Sequence, residues 1–407
     1  METIKLTGKI NLTILYAMSI YFFFGCTSSS QNENSSNGNN DYYVAAYIWP
    51  SCHDEEMSRE KLWSEGIGEW EMIQKGNSRF EGHYQPRVPL WGYKMDDDPV
   101  AWKQKINAAT AHGVNTFIFD WYWYDGKPYL EEAIDSGFLE AENNSKMNFY
   151  LMWANHDVPG NMWNHFRYKT DSLLWQGEVD WENYKIIVAR VIKQYFKLPN
   201  YFQIKKEPVF SIYNLKEFYN SFNGAEGAKK AIEYFRDEVK KEGFPGLHIQ
   251  VIGRDNNLNP GIGVGGDMND VINSLGINSV TMYNMAGTRK GDYLTYGESA
   301  ITLRNRWDSI LTVPFFPCTS VGWDNTPRYP ERGKESIIYF NNSPDSFAAL
   351  LLKAKEYIDS HPQQPRLMVI NAWNEWVEGS YLEPDMKWGY GYLEAVKRVM
   401  SGKYDRY

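Results

Sequence analysis

Eight short apolar runs, rich in Val, Ile, Phe and Tyr, alternate with longer stretches of helical periodicity from residue 43 onward. This alternation is typical of a parallel sheet covered by helices, and eight repeats are the number in a (β/α)8 TIM barrel. We expect strands at residues 43–48, 116–120, 149–153, 208–212, 248–252, 279–283, 312–316 and 367–372. We expect helices at residues 100–111, 130–139, 181–195, 228–241, 267–275, 298–308, 346–358 and 393–400. The sequence predicts an α/β fold, a single-domain TIM barrel with a long insertion after strand 1.

A doubly wound open sheet is the alternative architecture for the same alternation. Such a sheet normally carries a glycine-rich turn after its first strand, where the backbone cradles phosphate. Residues 49–53 read Trp-Pro-Ser-Cys-His and contain no glycine. The glycine-rich residues 261–266 do not follow a strand directly, so we expect a loop there. The closed barrel is therefore the preferred interpretation.

Charge and composition narrow the possible partners. The 407-residue chain has a formal net charge of −9, which repels nucleic acid, and no Lys/Arg-rich stripe interrupts that balance. The 16 Trp and 29 Tyr are rings with a polar edge, which can stack on sugar faces while hydrogen bonding at the rim. No zinc-binding pattern is present, and Cys52 and Cys318 are expected to be free thiols. We predict a glycan partner, no nucleic acid, and no metal or organic cofactor.

Two carboxylates follow the eighth predicted strand. Glu375 and Glu378 lie three residues apart among aromatic residues. Cleavage of a glycosidic bond needs one group that protonates the leaving oxygen and a second that acts on the other side of the sugar, and paired Glu or Asp residues supply both. We predict that these two glutamates are catalytic. Their Cα atoms lie at most roughly 10 Å apart, which spans both carboxyl separations used by such enzymes, so the spacing leaves the stereochemistry open.

The other predicted strands also end in residues that are polar and aromatic together. In a barrel the carboxyl ends of the strands converge on one face, so these side chains should line one cup. Each single aromatic ring could instead be a packing residue, and each histidine could have a structural role. Asp324 could instead form an Asx turn. The predicted sugar-binding residues are Tyr47, Trp49, His53, His83, Asp120, Trp121, Tyr122, Trp123, Trp153, Asn155, His156, Tyr283, Asn284, Trp323, Asp324, Arg328, Asn374 and Trp376.

The N-terminus has the features of an exported lipoprotein. Lys5 and Lys9 precede an apolar stretch over residues 10–24, which is followed by Gly25 and Cys26. A cationic segment, a short apolar segment and a small residue match an export signal, and we predict that Cys26 is lipidated. An uncleaved membrane anchor is the alternative. We predict an export signal over residues 1–26, a flexible tether over 27–40 and a catalytic (β/α)8 domain over 41–407, held at a bacterial cell envelope and facing the periplasm or the exterior.

The residues around the two glutamates resemble a known family. Residues 374–379 (Asn-Glu-Trp-Val-Glu-Gly), with Tyr-Leu-Glu-Pro-Asp behind them, resemble the signature of glycoside hydrolase family 99, the retaining endo-α-mannosidases, and of its family 99-like relatives, which are often labelled glycosyltransferases of the WbsX type. Residues 66–70, 82–87, 113–117, 153–155 and 322–326 are similar to other blocks of that branch in the same order. The resemblance implies that Glu375 draws a proton from the sugar 2-hydroxyl, that Glu378 protonates the leaving oxygen, and that a 1,2-anhydro sugar forms.

The sequence favours an exported retaining glycoside hydrolase that cleaves α-linked glycans, α-mannan-like or related polysaccharides, with endo action. We expect Glu378 to have a raised pKa and Glu375 to be ionised. Val377 stands where the family's mannosidases usually have histidine, so the sugar stays open. The alternatives are a glycosyltransferase of polysaccharide assembly, which export disfavours because nucleotide sugars are not expected outside the cytoplasm, and a non-catalytic glycan-binding lipoprotein.

Overall fold

Nine parallel strands form a nearly closed barrel, in which each strand pairs with its neighbours in space. The first strand of the chain lies between the second and the last, which closes the barrel on that side. The predicted TIM-barrel fold is confirmed. The strands are β1 (Tyr43–Ile48), β2 (Thr116–Tyr124), β3 (Asn148–Trp153), β4 (Glu207–Ile212), β5 (His248–Gly253), β6 (Ser279–Met282), β7 (Phe315–Phe316), β8 (Cys318–Ser320) and β9 (Leu367–Asn371).

The seventh position of the barrel is occupied by two short strands on either side of Pro317. β7 pairs with β6, and β8 pairs with β9 on the opposite side. Proline has no N–H for a strand ladder, but the Pro317 carbonyl still accepts a hydrogen bond from the Val369 amide at 2.9 Å. The single strand expected at residues 312–316 is therefore shorter, and its continuation lies beyond the proline.

β2 is longer than expected and runs on to Tyr124. All nine of its residues are buried, and its last three pair with the short antiparallel strand Lys127–Tyr129. Successive strand side chains point to opposite faces, so Asp120 and Tyr122 face one side of β2 while Trp121 and Trp123 face the other. This alternation decides which aromatic residues reach the candidate site.

Large side chains fill the barrel interior, and some of them form polar contacts across it. The Tyr47 hydroxyl of β1 donates to the Met282 carbonyl of β6 at 3.1 Å. The Tyr150 hydroxyl of β3 donates to Gln250 of β5 at 3.2 Å. These contacts satisfy buried polar groups in the core beneath the carboxyl ends of the strands.

Helices follow the strands and cover the barrel. Asp98 and Ser343 accept hydrogen bonds from backbone amides at the starts of the helices Pro99–Ala111 and Pro344–Asp359. Each is followed by proline, a residue suited to the first helical position. The helices are α1 (Glu56–Lys61), α2 (Trp70–Gln74), α3 (Pro99–Ala111), α4 (Gly160–Trp163), α5 (Trp181–Val191), α6 (Leu215–Ser221), α7 (Ala225–Lys241), α8 (Met268–Leu275), α9 (Tyr293–Asp308), α10 (Pro344–Asp359) and α11 (Gly391–Met400).

Several predicted elements differ in kind from the observed ones. The segment expected as a helix at residues 130–139 contains a π-helix, Ala133–Phe138, and α5 continues as a second π-helix, Ile192–Phe196. A 3₁₀ turn covers Asn144–Lys146. The remaining short strands are Val158–Pro159 with Leu173–Trp175, Gln203–Ile204 beside β4, Gly291–Asp292 with Tyr339–Phe340, and Asn374–Glu375 with Ser380–Tyr381.

This computed structural model describes residues 42–253, 264, 267–285, 291–329 and 337–404. These residues belong to one compact unit, Asn40–Tyr407. The predicted export signal, its Cys26 and the predicted tether lie outside the described residues, as does most of the glycine-rich stretch at 261–266. Within the described ranges, no helix combines the length and apolar character needed to cross a membrane.

Candidate active site

The two predicted catalytic glutamates lie on a tight hairpin that follows β9. Asn374–Glu375 pairs with Ser380–Tyr381, and Gly379 turns the chain with a φ of +65°. That backbone conformation suits glycine because it has no Cβ. The Asn374 side chain fixes the hairpin to the end of β1: its amide nitrogen donates to the Trp49 carbonyl at 2.9 Å, and its oxygen accepts from the Trp49 amide at 2.9 Å. Asn374 therefore positions the hairpin.

The guanidinium group of Arg328 connects three carboxylates. Nη1 donates to Glu378 at 2.7 Å, and Nη2 donates to Glu375 at 3.4 Å. Arg328 is buried, as is Glu375. The planar fork of arginine suits several directional contacts with carboxylates, which a lysine ammonium group cannot reproduce. The two glutamates thus share one cation.

Glu69, in the insertion after β1, is the third carboxylate and was not among the predicted site residues. It is fully buried and accepts hydrogen bonds from Arg328 Nε at 3.1 Å, from the Ser51 hydroxyl at 3.2 Å and from the Trp49 indole N–H. Glu69 therefore fixes both the cation and an aromatic wall of the site. The signal that could have identified it is its place in residues 66–70, one of the blocks that resemble the family.

A cavity opens at the carboxyl ends of the strands beside the glutamates. Six of the predicted sugar-binding residues line it together with both glutamates. Tyr213 and Trp163 line it as well and were not predicted. Tyr213 directly follows β4, so the strand-end argument could have found it, whereas Trp163 lies in α4 within a long connection. The lining residues are Trp49, Asp120, Tyr122, Met152, Ala154, His156, Met162, Trp163, Tyr213, Tyr283, Arg328, Glu375 and Glu378.

A second group of contacts links Glu375 to Asp120. The Tyr283 hydroxyl lies 2.9 Å from Asp120 Oδ2 and 3.1 Å from Glu375 Oε2. Both carboxyl groups are buried. β2 supplies the aspartate, the residue after β6 supplies the tyrosine, and the hairpin after β9 supplies the glutamate. Three strand ends thus meet at one phenolic oxygen.

The pKa values of the two glutamates are both raised. Burial, followed by the negative charge of Glu378, raises the pKa of Glu375 well above its ordinary value. Burial also raises the pKa of Glu378, but the closer Arg328 opposes that effect. With the neighbouring carboxyl groups charged, a proton shared by the pair favours Glu375. This is the reverse of the order expected from the sequence, in which Glu378 alone is protonated.

Four aromatic residues predicted to bind sugar instead pack away from the cavity. Trp121 and Trp123 lie on the other face of β2, where their indole N–H groups donate to Glu131 at 2.9 Å and to Asn183 at 3.2 Å. Trp153 packs against the rings of Tyr184 and Phe218. Tyr47 is buried beneath Tyr283, with ring centroids 4.7 Å apart. The alternation of strand side chains explains the three tryptophans, whereas Tyr47 faces the barrel interior and donates to the Met282 carbonyl.

Other predicted residues have structural contacts outside the cavity. His53 is fully buried and lies 3.7 Å from Glu132. Asn155 donates to the Asn214 carbonyl at 2.8 Å. Trp376 stacks on Tyr381 and donates to Glu383 at 2.7 Å. Asn284 and Trp323 are half-buried and are not among the residues that line the cavity.

His83 and Asp324 belong to a separate polar cluster. Asp324 Oδ2 lies 2.9 Å from His83 Nε2 and accepts from Gln85 at 2.8 Å and Arg87 at 3.2 Å. Although burial opposes it, the hydrogen bond from His83 and the charge of Arg87 hold the pKa of Asp324 well below its ordinary value. The Asp324 backbone amide donates to the Glu378 carbonyl, so this cluster contacts the hairpin that carries the two glutamates.

Metal ligands are not grouped at the site. Among the described residues, no set of three or more His, Cys, Asp or Glu side chains is arranged to hold a metal ion. Cys52 and Cys318 are free thiols.

Comparison with known proteins identifies the family. The profile of the family described as Glycosyltransferase WbsX matches residues 44–396. The chain belongs to this family. Two WxcX proteins of Xanthomonas campestris pv. campestris, both of uncharacterised function, are 26% identical to it over 363 residues. That alignment covers 88% of this chain and 49% of each relative, so the chain spans about half the length of the WxcX proteins.

Solved structures share the fold of this WbsX-family chain. A family 99 endo-α-mannosidase from Bacteroides thetaiotaomicron matches with a TM-score of 0.55 and 14% identity, covering 88% of this chain and 96% of the other. A glycoside hydrolase-like protein matches with a TM-score of 0.55 and 12% identity, covering 89% and 94%. The predicted membership of the family 99-like, WbsX-type branch is confirmed.

Proposed function

We propose that this protein is a glycoside hydrolase that uses Glu375 and Glu378 as its catalytic pair. The observation that carries the proposal is the contact of both carboxyl groups with one buried guanidinium, that of Arg328, in the wall of an aromatic cavity. Paired carboxyl groups beside stacking rings are what hydrolysis of a glycosidic bond requires. The fold shared with a family 99 endo-α-mannosidase is consistent with this chemistry.

The accessibility of the two side chains supports a division of labour between them. The Glu378 side chain is 14% exposed, whereas that of Glu375 is 3% exposed. The acid has to meet the leaving-group oxygen, which departs toward solvent, so Glu378 suits that role. The deeper Glu375 suits the base that takes a proton from a hydroxyl of the bound sugar. These are the roles that the family resemblance implies, with a 1,2-anhydro sugar as the intermediate and retention of configuration.

The charges of the cavity favour hydrolysis over sugar transfer. Among the described residues that line it, Arg328 is the one Lys or Arg side chain, and its nitrogens already contact three carboxyl groups. The diphosphate of a nucleotide sugar would meet uncompensated negative charge there. The family description nevertheless names a glycosyltransferase, so sugar transfer is the second candidate function.

The proposal extends to the substrate, on the family resemblance, and to the location, on the N-terminal sequence. We propose an α-linked, α-mannan-like oligosaccharide or polysaccharide as substrate, with endo action. The signal-like residues 1–26 suggest export and attachment to the cell envelope through a lipid on Cys26. No cofactor is needed for the proposed reaction.

The test is to incubate the purified protein with a panel of α-linked glycans and, separately, with nucleotide-sugar donors. We expect release of shorter sugars from at least one glycan, with product anomers followed by NMR to establish retention. Glu375→Gln and Glu378→Gln should remove the activity, while Glu298→Gln, on an exposed face of α9, should keep it. Sugar transfer from a nucleotide donor without hydrolysis would select the second candidate, and unchanged turnover in both active-site variants would reject the catalytic pair.

A further inference from the structure

Tyr283 lies between two carboxyl groups, and its hydroxyl can donate a hydrogen bond to only one of them at a time. Its hydroxyl oxygen is within hydrogen-bond distance of Asp120 and of Glu375. A phenol has one proton to donate and lone pairs that accept. If Tyr283 donates to one carboxyl group, the other can bond to the phenolic oxygen only by supplying a proton itself. The geometry therefore requires a proton on one of the two carboxyl groups.

The surroundings of the two carboxyl groups are unequal. Glu375 has a second donor, since Arg328 Nη2 reaches its Oε1 at 3.4 Å. Asp120 has no such partner: within the ranges that the structure describes, no group donates to its Oδ1, and no Lys or Arg side chain contacts it. A buried carboxylate without a cation or donors is costly, whereas the neutral acid is not.

We propose that Asp120 is a neutral carboxylic acid that donates its proton to the Tyr283 oxygen, so that the Tyr283 hydroxyl donates to Glu375 and stabilises its ionised form, which burial disfavours. Asp120 is then a positioning residue, which acts on the base through the phenol. Its catalytic consequence rests on the proposed function, whereas its protonation does not.

The remaining charged and titratable groups around Asp120 agree with this assignment. The buried Tyr47 and Tyr122 and the half-buried Tyr283 surround it with phenols, and its acidic neighbours are Glu375 and Glu378. Burial raises the pKa of Asp120 well above its ordinary value; a hydrogen bond from Tyr283 would oppose this effect, and the charge of Glu378 adds to it. A negative charge on Asp120 would also raise the pKa of Glu375, so a proton on Asp120 helps the base to ionise.

The direct test is infrared difference spectroscopy of the purified full chain with isotopically labelled aspartate, which distinguishes protonated from ionised aspartate carboxyl groups. Near pH 7 we expect one protonated aspartate in the unaltered protein and in Glu298→Gln, and its loss in Asp120→Asn. An identical spectrum in Asp120→Asn, or the absence of any protonated aspartate in the unaltered protein, would overturn the proposal.

A second measurement uses the acid limb of the kcat/KM profile, which reports ionisation of the base in the free enzyme. The amide of Asp120→Asn can donate to Tyr283 as the protonated acid does, so its acid limb should coincide with that of the unaltered protein. Tyr283→Phe removes a donor from Glu375 and should move the acid limb to higher pH. An acid limb at lower pH in Asp120→Asn would mean that Asp120 is ionised in the native enzyme, against the proposal.

The two arms separate this proposal from the proposed function. If no glycan is hydrolysed but the aspartate signal behaves as expected, the protonation of Asp120 stands and the hydrolase assignment fails. If hydrolysis is found but the aspartate signal is absent, the hydrolase assignment stands and the role of Asp120 fails.

Discussion

Arg328 lies closer to Glu378 than to Glu375: the contact between Nη1 and Glu378 is 2.7 Å, and the contact between Nη2 and Glu375 is 3.4 Å. The cation therefore stabilises the ionised form of the more exposed glutamate more strongly. A proton has to reach Glu378 before it can act as the acid. Burial is the larger influence on the pKa of both glutamates, and the guanidinium opposes it more strongly at Glu378 than at Glu375.

Replacement of Arg328 should damage both stability and activity. Arg328→Met leaves Glu69 and the catalytic pair buried without a cation, and loss of one partner from a buried charge cluster costs about 3 to 5 kcal/mol. Urea unfolding should show this loss. The matched control is Arg59→Met, which breaks an exposed contact with Asp54 and should cost about 0 to 1 kcal/mol. Equal losses in the two variants would contradict the central place of Arg328.

The two glutamates should respond differently to the leaving group of the substrate. Glu378→Gln removes the acid, so hydrolysis of natural glycans should fall by about 10²- to 10⁴-fold, while substrates with an activated leaving group should be largely spared. Glu375→Gln should reduce turnover of both substrate classes while sugar binding persists. Initial rates on matched substrates would check this. A parallel loss on both classes in Glu378→Gln would show that it is not the acid.

The raised pKa of Glu375 also predicts how stability depends on pH. Because its pKa in the folded protein lies above that in the unfolded chain, this carboxyl contributes stability below the unfolded pKa, and that contribution is lost as the pH rises through the folded pKa. Glu375→Gln should therefore gain stability relative to the unaltered protein as the pH rises from 4 to 8. Denaturant midpoints at the two pH values give the comparison, and a stability gain limited to acidic pH would refute it.

The aromatic rings should separate into binding and packing groups. Trp163 lines the cavity, so Trp163→Ala should weaken sugar binding by about 1 to 3 kcal/mol, the scale of one large side chain. Trp121 packs outside the cavity against Glu131, so Trp121→Ala should lower the free energy of unfolding by about 3 to 5 kcal/mol with little change in affinity. Calorimetric titration and unfolding of both variants would test the division. Weaker binding in Trp121→Ala alone would reverse it.

Much of the barrel could be predicted from the sequence because buried parallel strands are nearly continuous apolar runs. β1 was predicted at its observed bounds, and all eight barrel positions were found. The division of the seventh position into two strands was not predicted, because β7 and β8 pair with different neighbours and that pairing is a tertiary feature. The π-helices were missed because their apolar spacing resembles that of α-helices.

The site was predicted less completely. Four consecutive residues of β2, 120–123, were all predicted to bind sugar, but only Asp120 and Tyr122 line the cavity, because the side of the strand that faces it depends on barrel closure. Glu69 and Trp163 lie in long connections, whose course no local pattern fixes. Arg328 was predicted to bind sugar, yet it is buried and contacts both glutamates. Long-range contacts decided each of these cases.

The clasp between Asn374 and the Trp49 backbone joins residues 325 positions apart. The aromatic wall at Trp49 and the hairpin at Asn374 therefore come from opposite ends of the barrel sequence, and these two hydrogen bonds fix one to the other. During synthesis the ribosome produces the aromatic wall long before the acidic hairpin. The complete pocket can form only after the hairpin has left the exit tunnel, so shorter nascent chains lack its two glutamates.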